Sequence, residues 1–270
     1  MSLRLKLRET STIPIEVEGL TPDALRDKTL AQVERFAIFH GNQQLPLADL
    51  FHVSGDTADE RIEFADDMAG VHWIGAHMKS GSIHVTDHAG RHVGSQMAGG
   101  EITVDGDASD YVGGEMHDGL ICIRGSAGHH VGAAYPGSEA GMTGGTLLVH
   151  GNAGDQVAHT MRRGLVAIGG AVGDFAGINM VAGSLFIFGA CSLRPAAGMR
   201  RGTVAVFNDS PALLPTFRAG GRCQPLFLRV YLRTLAQLDF PADPALLDAT
   251  YEIFHGDLLN GGRGEILVRR

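Results

Sequence analysis

Along residues 81–202 the apolar positions recur with a period of nineteen. With each unit numbered from its opening glycine as zero, offsets two and four are aliphatic: Ile83/Val85, Ile102/Val104, Ile121/Ile123, Leu147/Val149, Val166/Ile168, Leu185/Ile187 and Val204/Val206. Spacing of two predicts a short strand with these pairs on one side and the intervening residue facing out. A second apolar column at offset twelve comprises Val93, Val112, Val131 and Val157, then Ala176 and Pro195. The methionine column runs Met78, Met97, Met116, Met142, Met161, Met180, Met199, every step nineteen except Met116 to Met142, which is seven longer. The surplus falls at Tyr135–Gly141, whose Pro and Gly suit a surface loop inserted into one repeat.

Small residues mark the corners: Gly at zero throughout, Gly106, Gly125, Gly151, Gly170 and Gly189 at six, and Gly94, Gly113, Gly132, Ala158, Gly177 and Ala196 at thirteen. A nineteen-residue unit cannot fold alone, but stacked copies pair each strand with its equivalents above and below. The expected fold is therefore all-β, a right-handed parallel β-helix of about seven coils at roughly 4.8 Å spacing with α/β caps at both ends. A leucine-rich repeat would need L-x-x-L-x-L-x-x-N, and a left-handed hexapeptide helix an aliphatic-Gly signal every six residues; neither pattern is present.

The flanks lack the repeat, which divides the chain into an N-terminal cap (1–60), the Gly-rich repeat (61–208) and a C-terminal cap (209–270). In the first, Leu3, Leu5 and Leu7 alternate as in a strand, Thr21–Leu25 opens a helix with Pro at its first position, Phe36–Phe39 is strand-like, and His40–Asn42 turns the chain. Phe64, Trp73 and Met78 take core positions in an irregular first repeat. In the last, Leu226–Leu235 is strongly apolar and Pro241–His255 has a helical look. Both ends need covering, because an open strand edge invites aggregation.

Composition narrows the partners. Glycine is heavily used (38 residues) and aromatics are scarce at 6%, as close backbone packing at repeated turns requires. The net charge of -8 disfavours nucleic acid, which needs a concentrated basic surface. Cys122, Cys191 and Cys223 form no C-x-x-C pair, so free thiols are expected, with no metal site. The opening residues have no continuous apolar stretch, and no run of about twenty apolar residues could span a bilayer. A soluble cytoplasmic protein without membrane contact is expected.

Candidate chemistry is sparse. The methionines suit core filling. Offset eleven carries His92, Tyr111, His130, Gln156 and Phe175, and a ring stack is expected there. His92 and His130 would lie two coils, roughly 10 Å, apart, too far to share a metal. Asp66, Asp67, Asp87, Asp105, Asp107 and Asp110 cluster on the early repeats. They read either as a solvated acidic face or as the Ca²⁺-assisted face of a stand-alone β-helix hydrolase or lyase. Arg162/Arg163 and Arg200/Arg201 lie on one ridge two repeats apart, placed to meet an anionic chain or an acidic patch on a partner. No G-x-S-x-G, H-x-x-x-H or P-loop stands in suitable context, so no catalytic residue is assigned.

The pattern G-x-I-x-V-x-G-x-A-G-x-x-V-G-x-x-M-x-x-G, fullest over Gly119–Gly132 and Gly145–Gly164, resembles the Gly-rich β-helix of glutamate synthase and of the C-type subunit of formylmethanofuran dehydrogenase. Thr21-Pro22-Asp23, the H-G-N-x-x-x-P-L-x-D-L-F-x-V-x-G stretch from His40 to Gly55 and the ending Y-E-I-F-H-G-D-L-L-N-G-G-R-G-E-I-L are similar to the latter. That resemblance implies a non-catalytic scaffold in a one-carbon complex with A-, B- and D-type subunits, where other chains carry metals and active sites. Of the two settings that the resemblance implies, the composition, rich in Ala, Arg, Gly and His and without the Lys/Glu enrichment of hyperthermophiles, favours the bacterial complex, which transfers formyl from tetrahydromethanopterin to methanofuran and hydrolyses formylmethanofuran to formate. An archaeal dehydrogenase subunit and a glutamate synthase-like domain remain alternatives. The same resemblance implies that this chain binds no cofactor, and it makes the carrier's polyglutamate tail a candidate ligand of the Arg ridge.

Overall fold

The computed structural model describes residues 2–208 and 210–270; residues 1 and 209, at which the first and third expected divisions begin, lie outside them. Seven strands follow the repeat: β8 (Ser82–Val85), β9 (Ala98–Val104), β10 (Asp118–Ile123), β11 (Thr146–Val149), β12 (Leu165–Ile168), β13 (Ser184–Ile187) and β14 (Thr203–Val206). Each pairs in parallel with the next, Ile83 opposite Ile102, Ile121 opposite Leu147, Leu185 opposite Val204. The first-repeat strand β6 (Arg61–Ala65) joins β8, and the amino-terminal β1 (Leu3–Leu7) joins β6 in parallel and β5 (Phe51–Ser54) antiparallel. At the other end β14 pairs with β17 (Gly264–Arg269), which continues antiparallel to β16 (Tyr251–Gly256) and β15 (Arg218–Cys223). The result is one mixed, mostly parallel sheet of thirteen strands. A second sheet of four is formed by β2 (Ile15–Glu16), β3 (Ala37–His40), β4 (Gln43–Pro46) and β7 (Val71–His72), beside the short helices α1 (Pro22–Leu25), α2 (Leu30–Glu34) and α3 (Leu47–Leu50).

This architecture corrects the expected right-handed parallel β-helix. Each nineteen-residue unit contributes a strand to one ladder only, and the rest returns through turns and isolated bridges such as Ala89 to Ala108 and Ala153 to Val172. The backbone explains why. Offsets eleven, thirteen and fifteen are left-handed, as at Tyr111 (φ 61°), Gly113 (φ 62°) and Glu115 (φ 53°), and alternate residues with positive φ cannot form a strand.

The core follows the predicted columns. Offsets two, four and twelve and all seven methionines are buried, and all of them but Pro195 belong to one continuous cluster reaching Leu3, Leu5 and Phe64. The opening glycine is fixed by geometry twice over. At Gly119 φ is +101°, and an added Cβ would lie 2.7 Å from the Gly100 carbonyl oxygen and 2.7 Å from the Met97 methyl carbon. The methionine tip occupies the space that the missing side chain leaves, and the same encounter recurs at Gly145 with Met116 and at Gly164 with Met142.

Three expectations fail in detail. The offset-three residues do not all face out: Leu148, Ala167, Phe186 and Ala205 are buried in a second cluster under the helix α4 (Leu226–Gln237). That helix is amphipathic, burying Leu228, Leu232 and Leu235 at spacings of four and three. Residues 241–255 are not one helix but a short 3₁₀ turn, Pro244–Asp248, followed by β16, since Tyr251, Ile253 and Phe254 pair along β17. Trp73 is only half-buried, at φ 64°, rather than part of the core.

Gly119→Ala should lower the unfolding free energy by about 2 kcal/mol or more through strain plus overpacking. Gly137→Ala, at positive φ but with open space around it, should cost only about 1 kcal/mol. Denaturant melts of the two variants compare them directly.

Candidate functional site

Two polar columns on the turn segments have a structural task that accounts for much of the acidic face. At offset seven, each side chain accepts the backbone N–H of its counterpart one repeat on: Asp107 N–H to His88 Nδ1 (2.9 Å), Ser126 N–H to Asp107 Oδ1 (2.7 Å), Asn152 N–H to Ser126 Oγ (3.1 Å), Ala171 N–H to Asn152 Oδ1 (2.8 Å). Offset ten repeats the device, with Asp110, His129, Asp155 and Asp174 each accepting from the next unit. Asp107 and Asp110 are thus acceptors for turns that lack a strand partner. Asp105 instead meets His84 (2.7 Å) and Arg124 (3.2 Å), Asp66 meets Lys6 (3.7 Å), Asp87 meets His88 (3.4 Å), and Asp67 accepts from Ala69 N–H (2.9 Å). Among the described residues no group of three or more His, Cys, Asp and Glu is placed to hold a metal ion.

The ring column stacks as predicted. His92 and Tyr111 lie 5.4 Å apart and Tyr111 and His130 4.6 Å, centroid to centroid. Two further members are not visible in the offset-eleven pattern. Trp73 extends the stack onto His92 at 4.0 Å. Tyr135, first residue of the insertion, folds back onto Tyr111 at 4.9 Å, and its hydroxyl lies 2.8 Å from His92 Nδ1 and 2.7 Å from Ser95 Oγ. Glu115 secures the same corner, accepting from Tyr135 N–H (3.1 Å) and from Gln96 Nε2 (3.0 Å). Burial pushes the Tyr135 phenol up to about 12 and His92 down to about 4, so a neutral imidazole and a protonated hydroxyl share this hydrogen bond. Further along, the Arg194 guanidinium sits 5.6 Å above the Phe175 ring. These rings are occupied by one another rather than by a ligand.

The four ridge arginines do converge. Arg162, Arg163, Arg200 and Arg201 line one hollow of about 440 Å³, with Val181 and Ala182 of the intervening repeat as its floor and Asn260, Gly261 and Arg263 closing one end. An adjoining hollow of about 600 Å³ shares Arg162, Val181, Arg200 and Asn260 and reaches Glu139 on the insertion. Arg263 was missed in the sequence, yet Arg263-Gly264-Glu265-Ile266 repeats the Arg-Gly-x-aliphatic signature of Arg201-Gly202-Thr203-Val204. Because Thr203 stands opposite Glu265, Arg263 takes the Arg201 position on the next strand. All five arginines are exposed, and among the described residues none forms an ion pair.

A family model described as GXGXG motif matches residues 68–216. The chain is 33% identical over 90 residues to the C-type subunit of the tungsten-containing formylmethanofuran dehydrogenase 2 of Methanothermobacter wolfeii. It is 37% identical over 79 residues to the C-type subunit of the molybdenum-containing formylmethanofuran dehydrogenase 1 of Methanothermobacter thermautotrophicus. Those alignments cover 32% and 29% of this chain and only 33% and 20% of the relatives, so the chain spans a third or less of the curated relatives it matches. A chain in the crystal structure of the formyltransferase/hydrolase complex (FhcABCD) from Methylorubrum extorquens with methylofuran superposes with a TM-score of 0.89 at 33% identity, covering 99% of both chains.

Two outcomes test the structural roles. Asp107→Ala should cost about 1 kcal/mol by orphaning the Ser126 N–H, while Asp107→Asn, which keeps an acceptor, should cost less. Burial lowers His72, His92, His130, His150 and His159 in the folded state, which therefore binds fewer protons than the unfolded chain. Their contribution is fully present above about pH 6.5, the unfolded value. It should be lost as pH falls toward the His92 value of about 4, a decline readable in thermal melts across that window.

Proposed function

The chain belongs to the GXGXG motif family and, within it, to the family of C-type subunits of formylmethanofuran dehydrogenase, and on that premise we propose that it is a structural, non-catalytic subunit of a formyltransferase/hydrolase complex. In this reading the complex moves formyl from tetrahydromethanopterin to methanofuran and hydrolyses formylmethanofuran to formate. The chain works in a hetero-oligomer with A-, B- and D-type subunits, which bind the one-carbon carrier and perform the chemistry. The cytoplasmic setting expected from the sequence belongs to the same proposal.

One observation carries the reading: the likeness to a chain of the Methylorubrum extorquens complex extends over 99% of the length, so it includes both flanks as well as the repeat. A shared repeat alone would fit a glutamate synthase-like domain equally well. The name of the curated relatives keeps an archaeal-type dehydrogenase subunit as the second reading, on the narrower support of 90 aligned residues.

The chain's own chemistry supports a scaffold. Asp107 and Asp110, which a stand-alone lyase would need free, are engaged by backbone N–H groups. His92 and Tyr135, both strongly perturbed by burial, bond to each other. Among the described residues no helix is long and apolar enough to cross a membrane.

The test is recovery of the tagged chain from its native cells followed by native mass spectrometry. The expected species is a hetero-oligomer with formyltransferase and hydrolase subunits, whose formate-producing activity disappears when this chain is omitted from reconstitution. Recovery of the chain by itself, or with a large amidotransferase, contradicts the proposal.

A further inference from the structure

The arginine groove forms where the repeat changes its corner residues. The two positions before each opening glycine read Lys79-Ser80, Ala98-Gly99, His117-Asp118, Thr143-Gly144, Arg162-Arg163, Val181-Ala182 and Arg200-Arg201, with Gly262-Arg263 continuing the series before Gly264. Stacking places Arg163, Ala182, Arg201 and Arg263 in one row on four successive strands, because Leu165 stands opposite Ser184, Ser184 opposite Thr203 and Thr203 opposite Glu265. At about 4.8 Å per strand, the row carries three guanidiniums within roughly 15 Å. Arg162 and Arg200 flank the same floor.

A solvated arginine is ordinary, but five without an acidic partner among the described residues, in a chain of net charge -8, are an unbalanced local charge. Acids were close at hand elsewhere. Arg26, Arg91, Arg124, Arg229 and Arg270 all have carboxylates within ion-pair distance. On the adjoining strand the Glu265 carboxylate is held by the Thr203 hydroxyl at 2.6 Å, and Asp257 is taken by the N–H groups of Gly198 and Leu259. Glu139 lines only the far hollow.

The surroundings distinguish a protein ligand from a small anion. Val181 and Ala182 make the floor between the two arginine pairs apolar. Immediately before Asn260 at the rim stand Leu258 and Leu259, 50% and 82% exposed, among the most exposed large apolar side chains of the molecule. A bare anion would leave those leucines in water. A polypeptide carrying both carboxylates and apolar side chains satisfies both features, since guanidinium forks bind carboxylates bidentately and the leucines supply a desolvated margin.

We propose that the groove lined by Arg162, Arg163, Arg200, Arg201 and Arg263 and flanked by Leu258 and Leu259 docks an acidic, partly apolar segment of a partner subunit. This rests on the reading of the chain as one subunit of a hetero-oligomer and specifies where that assembly is held. The contact is predicted to be sensitive to salt, as exposed charge pairs are.

A photo-crosslinking amino acid placed at Val181 in the reconstituted complex, with cross-linked peptides sequenced, tests the proposal. The expected product joins Val181 to one segment of a partner subunit rich in Asp and Glu. The charge reversals Arg163→Glu and Arg201→Glu, made together, should cut that product and the bound partner about tenfold or more. Arg163→Lys with Arg201→Lys should retain most of both, and since all these side chains are exposed the variants should melt with the wild-type chain. Full assembly by the Glu variant, or cross-links to a segment without acids, overturns the docking proposal and leaves the hetero-oligomer reading standing. Loss of a small polycarboxylate carrier from the Glu variant with every subunit retained also overturns it, assigning the groove to that carrier. A wild-type chain that binds no partner overturns the hetero-oligomer reading itself.

Discussion

Each strand of the parallel ladder is held against the next by a glycine that cannot be anything else. At Gly100, Gly119, Gly145, Gly164 and Gly202 the opening residue bends at positive φ while lying against the carbonyl of the equivalent glycine one repeat back, and a methionine methyl ends where its Cβ would be. Register follows from this contact. A one-residue slip would bring an ordinary side chain into the glycine slot and move the buried offsets two and four to the opposite face. Because the same encounter recurs at nineteen-residue intervals, the aliphatic pairs and the methionines fall into continuous columns, and the interior becomes one cluster running the length of the sheet. Repeats without side chains to spare for chemistry in their interior must place it outside.

What stands outside is largely committed as well. The turn segments cannot pair as strands, so their N–H groups need acceptors, and the offset-seven and offset-ten side chains provide them from one repeat to the next. The aromatic row adopts the left-handed conformation, a cost of about 1–2 kcal/mol per residue that ring stacking of about 0.5–1.5 kcal/mol per pair partly offsets. Tyr135 closes over that row from the insertion. The last strands lose their outer face to the C-terminal helix. Among the described residues the five groove arginines are exposed and form no ion pair, and the proposed role in assembly rests on them.

Much of this was legible in the sequence. Strand positions, the corner glycines, the buried methionines, the insertion and the stacked rings all follow from periodicity, because stacked repeats translate a sequence column directly into a spatial one. Side chains that cross between repeats were harder to see. Asp107, His129 and Asn152 look like unrelated polar residues until their shared offset is matched to a backbone donor nineteen or twenty-six residues ahead. The β-helix expectation failed because a length of nineteen says nothing about how many ladders a unit contributes; the left-handed residues at offsets eleven, thirteen and fifteen decide that, and only some of them are glycine. The covered outer face did leave a signal, as offset three changes from His84 and Thr103 to Leu148, Ala167, Phe186 and Ala205. Arg263 joined the groove because a strand sixty residues beyond the repeat re-enters the ladder at the correct register, a long-range pairing that local pattern does not reveal.

The central claim is that this chain gives a one-carbon complex its form and none of its reacting groups. The most direct measurement is a cryo-electron microscopy map of the native assembly with the carrier bound. The expected result is that every side chain touching the carrier's reactive end belongs to another subunit, and that the arginine groove lies against protein. A His, Cys, Asp or Glu of this chain in contact with the reacting atoms would contradict it.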